Sequence, residues 1–285
     1  MSSSPPDRRK PEDYGWSLGD RSPAEIARWM PIWGWLYKHY FQVQTSGWEH
    51  VPRSNALFVG SHNGGLAAPD MYMTMYDWFR REGLTRRIYG LSHHNLWYQS
   101  VWLSQMATRF GSIRAHPKMG IAALNSGASV LVYPGGAEDV FRPHSQRHKI
   151  EFAGRTGFIK LALRCDVPIV PIVSNGAHDT LFVLGDIHPF AKQLHDLGLF
   201  RWPGARDLDP EIYPVYLGLP WGLSIGPWPN LPLPVPLQTR ICPPIVFERT
   251  GREAARDRSY VEACCDRVRF AMQRELERLV AERAA

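Results

Sequence analysis

Between Gln42 and Val173 short apolar runs alternate with segments of helical spacing, and no other feature restricts the fold of this chain as strongly. Ala56 to Gly60 reads as a buried strand, and Pro69 to Arg81 follows with helical spacing. A second strand is expected over Arg87 to Leu91, then a helix over Leu96 to Phe110 marked by Trp97, Val101, Leu103 and Met106. Lys118 to Asn125 reads as a short helix stopped by Gly127, Ser129 to Tyr133 as a third strand, Gly157 to Arg164 as a helix, and Pro168 to Val173 as a fourth strand. Strands alternating with helices imply an α/β fold, a mostly parallel central sheet flanked by helices.

The flanking regions differ in character. Met1 to Tyr14 is Ser, Pro and charge without an apolar core, so a secretory signal is not expected and residues 1–21 read as a disordered tail. Residues 22–41 read as an amphipathic helix: Ser22 can cap it, Pro23 suits its first turn, and Glu25 stands three residues after the cap. Pro31 should kink it. Its Trp29, Trp33, Trp35, Tyr37 and Tyr40, flanked by Arg28 and Lys38, suit the headgroup level of a bilayer, and equally a helix packed under the main core. Tyr213 to Pro244 carries too many prolines for helix and reads as an extended apolar loop with a strand around Leu237 to Cys242. Such a loop either lies over a lipid entrance or crosses the core. Glu253 to Ala285 reads as a long amphipathic docking helix, with Val261, Cys264, Val268, Met272, Leu276 and Leu279 on one face.

Composition narrows the class. The 44% apolar content with 11 Trp, 11 Tyr and 12 Phe excludes a disordered chain, and 285 residues suffice for one sizeable core. Cys165, Cys242, Cys264 and Cys265 have no CxxC or pairing pattern, which suits a reduced, cytosolic-side protein. No apolar run approaches the roughly 20 residues of a spanning helix. The net charge of +6 fits an anionic bilayer, a nucleic acid or a phosphorylated cosubstrate, or simply solubility.

Two strand ends carry the chemistry. The run Leu57 to Gly65 delivers His62 past the end of a buried strand, where open α/β sheets bind their ligands. Histidine takes and returns a proton near neutral pH. Asn63, Gly64 and Gly65 let the backbone turn and leave room beside the imidazole. Asp70, opening the next helix, is placed to hold the imidazole tautomer and favour its protonated form. Alone, such a pair more often closes a loop than performs chemistry. The second strand end, Val130 to Asp139, runs into Pro134-Gly135-Gly136, whose N–H groups suit an oxyanion. Glu138 and Arg142 follow, and the basic run Arg142, His144, Arg147, His148, Lys149 and Arg155 suits either phosphates or solvent. Gly222-Leu223-Ser224-Ile225-Gly226 spells GxSxG, but the prolines after it forbid the helix a nucleophile elbow needs. His93, His94 and His116 lack acidic or Cys partners at ligand spacing, so no metal is expected.

In this order the blocks resemble the glycerolipid acyltransferase superfamily, the lysophospholipid acyltransferase-like proteins. His62 to Asp70 is similar to its first motif, Gly111-Ser112-Ile113-Arg114 to its second, Tyr133-Pro134-Gly135-Gly136 to its third and Val167 to Pro171 to its fourth. The likeness covers roughly residues 43–183 and continues weakly to Val246. The Pro-Gly-Gly form resembles the diacylglycerol and monoacylglycerol acyltransferase-like branch. The commonest family form has four residues between the His and the Asp; here seven intervene, and the Asn63-Gly64-Gly65 turn is expected to absorb the difference. Phosphate-acceptor members carry a Glu and a basic residue where this chain has Gly135 and Pro117, with Arg114 a partial substitute.

The resemblance implies an acyltransferase domain over residues 42–285. Its reaction would be acyl-CoA-dependent O-acyl transfer to a glycerolipid or other lipid alcohol at a membrane surface on the cytoplasmic face, without cofactor, metal or nucleic acid. It makes His62 and Asp70 catalytic, and makes Asn63, Gly64, Gly65, Arg114, Gly135, Gly136, Glu138, Arg142 and Arg155 candidates for substrate binding. The alternatives are a lysophospholipid (1-acylglycerol-3-phosphate) acyltransferase and a non-catalytic lipid-binding or transfer protein.

Overall fold

The computed structural model describes residues 9–202 and 210–284. Among them are ten strands: β1 Gln44–Ser46, β2 Leu57–Gly60, β3 Ile88–Ser92, β4 Ser112–Arg114, β5 Ser129–Val132, β6 Ile169–Asn175, β7 Phe182–Asp186, β8 Pro214–Gly218, β9 Gly222–Ile225 and β10 Gln238–Ile241. Seven form one sheet in the order β1-β10-β6-β2-β5-β3-β4. From β6 to β4 the strands run parallel, while β10, with β1 beside it, is antiparallel to β6. The helices are α1 Pro23–Trp35, α2 Pro69–Glu82, α3 Val101–Arg109, α4 Pro117–Asn125, α5 Gly136–Val140, α6 Gly157–Cys165, α7 His188–Asp196, α8 Gly251–Ala254 and α9 Arg258–Ala284. The expected mostly parallel α/β sheet is therefore present.

Side chains alternate across β2, and this builds the two cores. Leu57 and Val59 join α4, α6 and α9 on one face, where Val261, Cys264, Val268, Met272, Leu276 and Leu279 are all buried. Phe58 points to the other face, among Ile26 of α1 and Trp78 and Phe79 of α2. Central strands buried on both faces read as continuous apolar runs, which is why β2, β3, β5 and β6 were visible in the sequence. The edge strands β1 and β4 have three residues each and mixed polarity, too little pattern to see.

Ser22 caps α1, its hydroxyl accepting from the Glu25 N–H at 3.3 Å. After Pro31 the helix widens over Leu36–Tyr40, closed by the Phe41 N–H donating to Leu36 O at 2.8 Å. Trp33 packs on Phe110 and Phe79, whereas Ile32 and Trp35 face outward, so the helix is docked on one side and bare on the other.

Three expectations need correction. Residues 9–21 are not a tail: Tyr14 is fully buried, and Arg114 holds the segment by donating from Nε to Tyr14 O at 2.9 Å and from Nη2 to Glu12 O at 2.6 Å. Backbone carbonyls, which no side-chain pattern reveals, provide that attachment; residues 1–8 lie outside the described residues. The helix expected over Leu96 to Phe110 begins only at Val101, where the Ser100 hydroxyl caps the Leu103 N–H at 3.1 Å. The extended loop expected over Tyr213 to Pro244 contains a hairpin, β8 and β9, which adds to β7 as a second, antiparallel sheet. Its Ser224 is a strand residue facing inward, with no helix after it.

Candidate active site

β2 and β5 are neighbours in register, Val59 opposite Val132, so their carboxyl ends emerge side by side. Gly60 makes room for this meeting, since a Cβ there would lie 2.3 Å from the Tyr133 ring. Two residues later the His62 imidazole rests against the same ring, centroids 4.8 Å apart. Burial raises the Tyr133 hydroxyl well above its ordinary value, and the Asp70 carboxylate adds to this, so the ring is a neutral wall.

The seven-residue interval to Asp70 folds back on itself. Gly64 and Gly65 adopt left-handed φ of +81° and +67°, a short turn spans Gly65–Ala67, and Ala68 is also left-handed before Pro69 starts α2. This returns Asp70 to the imidazole, with His62 Nδ1 3.7 Å from Asp70 Oδ1. That is longer than a hydrogen bond, a common state of catalytic pairs without ligand. Nδ1 is shielded from solvent while the side chain is 19% exposed, so the exposure falls on the other edge of the ring, where Nε2 sits. Asp70 itself is buried in the first turn of α2, where its Oδ1 accepts the Met71 N–H at 2.8 Å.

A buried network fixes these parts. Asn63 Nδ2 donates to Asp70 Oδ2 at 3.1 Å and to Ser61 O at 2.7 Å, and its Oδ1 accepts from Arg142 Nη2. Arg142 also donates from Nη1 to His62 O at 2.9 Å and Asp139 Oδ1 at 2.6 Å, from Nη2 to Arg147 O at 3.0 Å and from Nε to Gln146 O at 3.1 Å. Asp139 Oδ2 accepts the His62 backbone N–H. Burial pushes Asp139 up to about 6, although Arg142 and the His62 N–H both favour its charged form. His178, lowered to about 3 by burial and then by Arg142, is neutral and donates from Nε2 to Arg142 O at 2.8 Å.

The Gly135-Gly136 turn abuts the same carboxylate. A Cβ on Gly135 would lie 2.3 Å from Asp139 Cβ and 2.7 Å from Glu151 O, so only glycine fits. Gly136 is left-handed at φ +59°. Arg155 donates from Nη1 to Gly135 O at 2.7 Å and pairs with Glu138 and Glu211 at 3.6 and 3.2 Å, all at the surface.

His62, Asn63, Gly64, Gly65, Asp70, Gly135, Gly136 and Arg142 thus converge, and Glu138 and Arg155 stand at the rim of the turn. Two residues are placed differently from the expectation of substrate contact. Arg142 is buried with all five of its N–H donors engaged, so its charge holds loops together and has no donor left for a phosphate. Arg114 lies on β4, separated from β2 by β5 and β3 and so by roughly 14 Å, and is committed to the 9–21 segment. Sequence reasoning missed Asp139, His178 and Asn230. Asp139 and Arg142 at one helical turn were the available signal for the first; Asn230, which donates to Gly64 O at 3.3 Å from 166 residues away, had none.

Comparison with known proteins agrees with this layout. Residues 42–175 match the model of the Acyltransferase family. An uncharacterized protein of Mycobacterium tuberculosis is 26% identical over 256 residues, 89% of this chain and 66% of that one, so the chain spans just under two thirds of the relative's length. A mouse protein, the DGAT1/2-independent enzyme synthesizing storage lipids, is 24% identical over 73% of this chain and 57% of its own. The crystal structure of the 1-acyl-sn-glycerophosphate (LPA) acyltransferase PlsC from Thermotoga maritima shares the fold, with a TM-score of 0.51 at 16% identity over 91% of this chain and 80% of that one. The histidine loop, the Gly-Gly turn and all five strands of the parallel part of the sheet, β2 to β6, lie inside residues 42–175, the part of the chain that matches the Acyltransferase family model.

Proposed function

We propose that this chain transfers a fatty acyl group from acyl-CoA to the hydroxyl of a neutral glycerolipid or other lipid alcohol at a membrane surface. His62 Nε2 takes the hydroxyl proton as the oxygen attacks the thioester carbonyl. Asp70 steadies the imidazolium through Nδ1, and the donor we assign to the tetrahedral oxyanion is the Gly135 N–H, since that of Gly136 is directed at Tyr133 O. The carbon–sulfur bond then breaks, the thiolate recovers the proton from His62, and the ester leaves without an acyl-enzyme. The observation that carries this reading is the two-sided imidazole, Nδ1 shielded and turned to Asp70 at 3.7 Å with the opposite edge open. Arg155, half-exposed on the Gly135 carbonyl and paired only with the surface carboxylates Glu138 and Glu211, is the cation we assign to the coenzyme A phosphates.

The second reading, a lysophosphatidate acceptor, draws on the fold shared with PlsC. The engagement of Arg114 elsewhere weighs against it, because that side chain was the substitute for the missing basic residue. The test is thiol release from acyl-CoA in the presence of monoacylglycerol, diacylglycerol, a long-chain alcohol or lysophosphatidate. His62→Ala is expected to lower release by at least about 10²-fold. Release that survives the substitution rejects the mechanism, activity confined to lysophosphatidate rejects the neutral acceptor, and binding of lipid without any release leaves a transfer protein.

A further inference from the structure

The second sheet inverts the usual pattern of an antiparallel sheet, which packs an apolar face and hydrates a polar one. Its inner residues are ordinary: Val183 and Tyr216 are buried with Val140 and Phe141. Its outer face carries Phe182, Leu184, Leu217, Leu219, Leu223 and Ile225, each between 43% and 68% exposed. Phe182, Leu217 and Leu223 stand in one cross-strand row. With Trp221 and Trp228 beside them, these side chains present on the order of 700 Å² of apolar surface, above the few hundred Å² a soluble monomer shows in one patch.

The patch continues across the molecule. Leu231, itself exposed, donates its N–H to Leu219 O at 2.8 Å, and Tyr40 Oη donates to Pro232 O at 2.7 Å. Tyr40 in turn lies 6.2 Å from Trp35, whose ring opens to solvent beside Ile32. The bare side of α1 and the second sheet are therefore linked through the 231–232 segment.

We propose that this surface docks the protein on a lipid bilayer, with the β7-β8-β9 face as the principal contact. Charge selects the occupant. From Ile212 to Thr239 the chain has no Asp, Glu, Lys, Arg or His, whereas a protein partner's interface would ordinarily be rimmed by mixed polar groups. One flank is basic: Lys38 and His39 are exposed beside Trp35; on the other, the His144 ring lies 4.3 Å from Phe182 and is paired, like Arg147, with Asp179, and exposed Lys149 follows. The whole chain carries +6, complementary to an anionic leaflet. The two indoles of the face and the backbone of its central strand are already satisfied. The indole N–H of Trp221 donates to Pro229 O at 2.7 Å and that of Trp228 to Ile225 O at 2.9 Å, and β8 is paired on both sides.

The placement connects docking to the site. Leu181, one residue before β7, fills the space in front of Gly65, and Asn230 holds both Gly64 O and the Ala67 N–H. Leu66, in the loop between His62 and Asp70, is itself exposed. A bilayer seated on the second sheet meets the histidine loop within three or four residues of His62, where an acceptor hydroxyl at the interface can reach it. This last step rests on the proposed acyl transfer; the docking does not.

The test is co-sedimentation of the full chain with phosphatidylcholine vesicles, with and without phosphatidylglycerol. Wild type is expected to bind, several-fold more strongly when phosphatidylglycerol is present, and Leu217→Glu with Leu223→Glu to lose binding by about tenfold or more at an unchanged Tm. Should that pair fail to fold, Leu217→Ser with Leu223→Ser is read in the same way. His62→Ala must bind like wild type, which separates docking from catalysis. Vesicle binding unaffected in the sheet variants overturns the proposal, as does no binding by wild type. So does a wild-type dimer that the variants dissolve while their vesicle binding persists, since the face would then belong to a second copy.

Discussion

Asp139 is the residue on which the site's electrostatics turn. It accepts the His62 backbone N–H, pairs with Arg142 and backs the Gly135 turn, all without solvent. Its folded value of about 6 stands above an ordinary 3.8, because burial outweighs its favourable partners. The folded chain therefore keeps a proton between these values that the unfolded chain releases. The stability it contributes is complete below about pH 4 and is lost as pH rises through about 6, a change of about 3 kcal/mol. Denaturant unfolding of wild type and Asp139→Asn across pH 4 to 7 checks this: the difference should move by about that amount in the variant's favour as pH rises, and a constant difference refutes it. Beforehand the only sign of this was the one-turn spacing of Asp139 and Arg142. Asp139 stood in the sequence beside the Gly-Gly turn like any exposed helix acid, and its partner on the loop after β2, the His62 N–H, lies 77 residues away.

At the scale of elements, the site is a meeting of strand ends, and glycine sets how closely they approach. Gly135 has an ordinary helical φ of −65°, so its constraint is space and not backbone conformation. Gly135→Ala should cost about 1–3 kcal/mol through overpacking against Asp139 and Glu151 O, and should lower acyl transfer by roughly 10²-fold as the His62 backbone shifts. Gly157→Ala, where nothing lies within 4 Å of the added Cβ, is the control and should be neutral in both measurements. An alanine at Gly135 that unfolds and reacts like wild type would show that the close packing is dispensable. The strands that bring these ends together were readable from apolar runs, and the glycines from their position after them. The second sheet was not, because prolines at Pro214, Pro220 and Pro227 argue against helix but leave a hairpin indistinguishable from a loop.

For the whole molecule, the first described residues matter more than their composition suggests. Arg114 ties residues 12–15 to the β4 edge through two guanidinium bonds and one from its backbone, and lies over the Trp16 and Trp97 rings at 5.1 and 5.3 Å. Arg114→Ala should cost about 2 kcal/mol, speed hydrogen exchange around Tyr14 and leave the KM for acyl-CoA unchanged. A raised KM with undisturbed exchange would return Arg114 to the substrate site. The same contrast separates what each level of description decides. The sequence by itself determined the α/β class, the parallel core strands, the docking helix α9 and the histidine and glycine motifs, because each is written in local periodicity or in residues only a few positions apart. Only the tertiary structure decided that Asp70 returns to His62, that Arg114 and Arg142 spend their donors on backbone carbonyls and loop side chains, and that an apolar sheet adjoins the histidine loop. Those outcomes depend on which distant backbone groups capture each donor and on which strands are neighbours, and neither is encoded in the spacing along the chain.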